Sequence, residues 1–162
     1  MRGCACLALL ALVVAAGGCG PTVDLTKGLQ IEHVSTGWFD AGIKDGKNKL
    51  VPSITFTVKN VSDQKLPVLQ MHAVFRRINE PNAMWGDNFA RVVGSEGLAP
   101  GATAGPLTIR SPLGYTGSDQ TREEMLHNSQ FVDAKVDLQA KYGSGEWTNV
   151  GDFPIERKLI VK

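Results

Sequence analysis

Residues 50–60 read LVPSITFTVKN, and the alternation within them decides the fold. Leu50, Pro52, Ile54, Phe56 and Val58 are apolar, while Ser53, Thr55, Thr57 and Lys59 fall between them. A period of two places the two sets on opposite sides of an extended strand, one face in a core and the other toward water. Pro52 has no amide hydrogen to give to a sheet, so it is expected at the strand's entry or on an edge.

The flanking sequence repeats this theme. Upstream, Asp45-Gly46 tolerates the positive φ of a tight hairpin turn. Before it, residues 29–39 form a first strand through Ile31, Val34, Trp38 and Phe39, imperfect in its alternation. Downstream, Asn60, Val61, Ser62 and Asp63 make a turn. Residues 66–77 then place Leu69, Met71, Ala73 and Phe75 on one side and Val68, Gln70, His72, Val74 and Arg76 on the other. That second face is mixed, which implies partial cover rather than open solvent. Residues 79–88, with Pro81, Trp85 and Gly86, form a loop before a short strand through Phe89, Arg91 and Val93.

Residues 106–111 form another strand, and 111–117 are irregular. Residues 119–128 are the one helical stretch, capped by Ser118 or Asp119, with Met125 and Leu126 facing inward. Residues 131–142 alternate again, and Gly143-Ser144-Gly145 turns the chain back. Gly151 and Pro154 are expected to break the return into two pieces, 147–150 and 153–161. Seven or eight short strands with one short helical insertion describe an all-β, antiparallel sandwich.

A strand ending in Val58-Lys59-Asn60, a Ser62-Asp63 turn, a partner strand, and later Leu98-Ala99-Pro100-Gly101 before another strand carry a resemblance. The arrangement resembles the immunoglobulin-like β-sandwich domains of many uncharacterised bacterial envelope lipoproteins, over residues 29–162. The resemblance implies a binding or accessory module and brings no catalytic residues with it.

The N-terminus agrees with that setting. Arg2 precedes an apolar run at residues 7–16, which has the form of a secretory signal. The run is far shorter than the roughly 20 apolar residues of a membrane-spanning helix. It ends in Ala16-Gly17-Gly18-Cys19, which resembles the lipobox of bacterial lipoproteins, although the family usually has Leu where Ala16 stands. The resemblance implies a signal peptide at 1–18 and a lipidated Cys19 as first mature residue, followed by a tether at 19–28. Gly20 stands where the inner-membrane retention signal would be Asp, which implies the outer membrane, facing the periplasm.

Taking residues 1–18 from the 162 leaves a single-domain length. Arg2 is the one charged residue removed from 17 basic and 16 acidic side chains, so the mature domain is formally neutral. Nothing in that balance points to nucleic acid. With the signal peptide and lipidation that the lipobox resemblance implies, Cys4 and Cys6 of the three cysteines leave and Cys19 carries lipid, so the fold is expected to rest on its core without a disulfide.

The patterns of catalysis are missing. His33, His72 and His127 fall on separate elements with no metal-ligand spacing, and no metal or cofactor is expected. Ser95 and Ser144 lack the Gly-x-Ser-x-Gly context of a nucleophile elbow. Adjacent Glu123 and Glu124 diverge by about 100° on a helix. Asn60-Val61-Ser62 fits a glycosylation acceptor formally but reads as a turn. The aromatic residues remain: Trp147, after a hairpin, is expected to close an end of the core, whereas Trp85 and Tyr115, in Gly- and Pro-rich segments, are candidates for partner binding. The sequence leads to a non-enzymatic, lipid-anchored envelope protein that binds or supports another envelope protein. The alternative is a carrier or sensor of a small apolar ligand such as a lipid or cell-wall fragment, which requires an apolar cavity between the sheets or beneath residues 111–128.

Overall fold

The computed structural model describes residues 22–161, so the expected signal sequence at 1–18 and Cys19 lie outside the described residues. Strands β1 (Leu29–Lys44) and β2 (Lys47–Asn60) form a long hairpin. β3 (Gln70–Arg77) and β4 (Gly86–Arg91) form a second hairpin. They are followed by β5 (Thr103–Arg110), β6 (Tyr115–Gly117), β7 (Ala134–Lys141), β8 (Thr148–Pro154) and β9 (Leu159–Ile160). One sheet runs β5-β2-β1-β9 with β6 also on β2, and the other runs β4-β3-β7-β8.

With β1, β2, β3, β4, β5, β7 and β8 as A, B, C, C′, E, F and G, the sheets read E-B-A and C′-C-F-G. This is the Greek-key order of an immunoglobulin-like sandwich. All named pairings are antiparallel except the short β1–β9 contact.

The inward face of residues 50–60 follows the alternation, whereas on the other face Ser53, expected toward water, is buried together with Val51. Leu50, Ile54, Phe56 and Val58 are buried completely and meet Met71, Ala73, Phe75, Val136 and Leu138 of the opposite sheet in one core. Pro52, however, lies within a central strand, paired with Trp38 of β1. Its other side faces the gap between the end of β5 and the start of β6, where Ser111 donates its N–H to the Pro52 carbonyl. The donor that proline lacks therefore falls where no strand needs it.

β1 is longer than the sequence suggests, because two bulges interrupt its alternation. The register shifts between Glu32 and Ser35 and again between Asp40 and Ile43. His33 (φ 52°) and Gly42 (φ 81°) take left-handed conformations there.

The return strand also differs from the expected two pieces. β8 runs unbroken through Gly151, with a register shift opposite Leu138 and Gln139, and the chain then crosses to the first sheet as β9.

The domain begins earlier than residue 29. A single helical turn, α1 (Leu25–Gly28), is capped by the Asp24 side chain and buries Leu25, and the Val23 N–H donates to the Tyr142 hydroxyl at 2.7 Å. The second helix, α2 (Arg122–His127), starts at Thr121 rather than Ser118 or Asp119. Thr121 accepts from the Glu124 N–H while the Glu124 carboxylate accepts from the Thr121 N–H, a reciprocal capping box.

Asn60 joins the two motifs that carry the immunoglobulin-like resemblance. Its buried amide donates to the carbonyls of Gln64 (2.8 Å) and Leu98 (2.9 Å), and its Oδ1 accepts from the Ser62 N–H and hydroxyl. Its backbone pairs with Ala102 and Gly101. The Asn-x-Ser triplet is thus a turn whose amide is fully engaged.

Candidate functional site

Trp85 and Tyr115, the two candidates drawn from the sequence, meet around Trp38, which is fully buried. Trp38 lies 6.0 Å from Trp85 and 5.6 Å from Tyr115 between ring centroids, and Phe131 packs against it edge-on at 4.7 Å. Tyr115 donates its hydroxyl to the Val132 carbonyl at 3.0 Å and accepts from the Val132 N–H. Neither ring stands free: both are half-buried and close one end of the core, the role that the sequence suggested for Trp147.

Trp147 instead stands on the outer face of the second sheet, beside an aromatic pair that sequence reading left out of the site. Phe89 on β4 lies directly opposite His72 on β3, and His72 lies opposite Gln139 on β7. The three side chains therefore form a row across the sheet. The Phe89 and His72 rings stack at 4.1 Å and 7°, and Trp147 approaches them at 5.7 Å and 5.3 Å. Lys141 places its ammonium 4.8 Å from the Trp147 ring.

His72 is fixed at both ring nitrogens. Nε2 lies 2.8 Å from the Asp87 carboxylate and Nδ1 lies 3.1 Å from Gln139 Oε1. Phe89 is 56 % exposed even though one of its faces is covered by His72. The result is a rigid apolar step with hydrogen-bonding groups around it.

The next row is electrostatic. Asp137 on β7 accepts from Arg76 at 2.6 Å and pairs with Lys135 at 2.7 Å. Burial opposes ionisation of Asp137, but the hydrogen bonds and charges of Lys135 and Arg76 outweigh it and hold the carboxyl below its ordinary range. These charges satisfy one another.

A second feature lies under the 111–128 insertion. A surface depression of about 260 Å³ is lined by Tyr115, Thr116, Gln120, Met125, Asn128, Gln130 and Phe131. It lies beside the 111–128 insertion, and its lining combines amide and hydroxyl groups with the apolar side chains of Met125, Phe131 and Tyr115. Among the described residues no three His, Cys, Asp or Glu side chains come together as a metal site, and His33, His72 and His127 lie apart. No helix of the described residues is long and apolar enough to cross a membrane.

No protein-family model and no curated protein matches the chain. Among solved structures, the X-ray structure of Northeast Structural Genomics Consortium target SoR45 is similar with a TM-score of 0.43 and 17 % identity, over 81 % of this chain and 88 % of that one.

Proposed function

We propose that this protein is a lipid-anchored, non-enzymatic accessory module of the bacterial envelope, which binds another envelope protein through the outer face of its β4-β3-β7-β8 sheet. The observation that carries the reading is Phe89, 56 % exposed, stacked on an immobilised His72 and bordered by Trp147. Aromatic side chains held rigidly on a strand offer large contact area at low entropy cost, and such groups dominate the energetics of protein interfaces. Surrounding them, Asp87, Gln139 and Lys141 supply the polar rim of a typical non-obligate interface.

The anchor is Cys19. It precedes the first described residue, Thr22, by three positions, or at most about 11 Å of extended chain. The start of β1 therefore lies next to the membrane, and the β1–β2 turn lies at the other end of a 16-residue strand, about 50 Å away. The outer-membrane location rests on Gly20 after the cysteine.

The test is co-purification from chemically crosslinked envelopes, comparing wild type with a Phe89→Ser/Trp147→Ser variant. A reproducible partner recovered by wild type and lost by the variant, with melting temperature unchanged, is the expected result. Equal recovery by both proteins would move the interface off this face.

A further inference from the structure

We propose that the depression under the α2 insertion is a binding site for one neutral pyranose sugar ring. Tyr115, Phe131 and Met125 bring apolar side chains to the lining, and Thr116, Gln120, Asn128 and Gln130 bring hydroxyl and amide groups, with Asn128 Oδ1 accepting from the Gln130 N–H at 2.8 Å. Tyr115 is the lone titratable group among them, and its hydroxyl is committed to the Val132 backbone.

An ionic ligand finds no counter-charge in that lining. A lipid chain would bury the amides without hydrogen-bond partners, at a cost in desolvation. A sugar ring suits both kinds of lining group: its C–H face suits the aromatic and thioether side chains, and each hydroxyl both donates and accepts, as a side-chain amide does.

Two further observations support a built site. The side chain of half-buried Gln120 makes no hydrogen bond with other described residues, while its backbone carbonyl is held by Asn48 Nδ2 at 2.6 Å; Thr116 and Gln130 are exposed. The walls are also fixed before any ligand arrives. Arg157 donates to the carbonyls of Leu126 (3.2 Å) and Phe131 (3.1 Å), pairs with Asp133, and lies over the Phe131 ring. A Cβ on Gly117 would come within 2.8 Å of Met125, so the strand and helix are in close contact there. Such preorganisation lowers the entropy cost of binding. The volume, about 260 Å³, lies just below the range for drug-sized ligands and suits a single ring.

The site is separate from the Phe89 face, so the two proposals stand or fall independently. The test is saturation-transfer NMR on the full chain in nanodiscs, with methyl β-D-glucopyranoside and N-acetyl-D-glucosamine as probes and D-glucuronate as the charged comparison. The expected result is transfer to the neutral sugars at millimolar concentration, weakened roughly tenfold or more by Gln120→Ala/Gln130→Ala and unaffected by Phe89→Ser. Circular dichroism melting of the amide variant establishes that it is folded. No transfer at about 20 mM sugar, equal transfer to the amide variant, or equal binding of D-glucuronate would each overturn the assignment. So would displacement of an apolar dye from the depression by fatty acid but not by sugar.

Discussion

Asn60 illustrates how one side chain ties distant segments together. Truncating it leaves the buried carbonyl of Leu98 without its side-chain donor and releases the 60–64 turn. Asn60→Ala is therefore expected to lower the unfolding free energy by about 2–3 kcal/mol, measured by denaturant unfolding. Asp137 acts through charge. Its folded pKa lies below the unfolded value near 4, so its contribution is present above that value and is lost as pH falls through the folded pKa. Asp137→Asn should thus be less stable than wild type at pH 7 by about 1–2 kcal/mol, with the gap closing as pH falls through the lowered folded pKa. Parallel thermal melts across pH check both the gap and its closure. At this scale the sequence is least informative. Residues 66–77 showed that His72 shares a face with Gln70 and Arg76, but only the register with β4 and β7 sets Phe89 and Gln139 beside it. For Trp147, proximity to a hairpin does not say which face of the sheet the ring joins, and the ring stands on the outer face rather than at an end of the core.

Elements were more legible, since each is governed by local periodicity. β7 alternates throughout, β2 and β3 alternate except where Val51, Ser53 and Val74 are buried as well, and the Asp45-Gly46 turn has φ values of 50° and 75°. β1 was less clear, because the bulges at His33 and Gly42 change which residues face inward partway along the strand. The start of α2 was within reach of sequence reasoning: Thr121 and Glu124 have the spacing of a capping box, a stronger signal than the bare presence of Ser118 or Asp119. Thr121→Ala should cost about 1 kcal/mol and speed hydrogen exchange in residues 122–127. Close packing of backbone marks another element boundary. A Cβ on Gly114 would lie 2.0 Å from the Leu50 carbonyl oxygen, which belongs to a central strand. Gly114→Ala should therefore displace β6 from β2 and cost about 2–3 kcal/mol in thermal or denaturant unfolding.

For the molecule as a whole, the alternation of short strands indicated two packed layers, and the pairing β5-β2-β1 against β4-β3-β7-β8 gives those layers the immunoglobulin-like order. The sequence could not supply that order, because strand pairing depends on contacts between segments far apart in the chain. The proposed anchor and the proposed face also act at this scale. An N-terminal lipid places the start of β1 at the bilayer and leaves the side of the second sheet open to a partner standing beside it. Cys19→Ser should remove the lipid mass from the intact protein and shift it from the membrane to the soluble fraction. Retention in the membrane with unchanged mass would exclude the anchor. The proposed partner contact at Phe89 is tested by photocrosslinking in intact envelopes, with a photoreactive phenylalanine analogue placed at residue 89 or, for comparison, at residue 43, where Ile43 is 71 % exposed near the far end of β1. A discrete adduct from residue 89 and none from residue 43 is the expected result; an adduct from residue 43 with none from residue 89 would place the partner elsewhere.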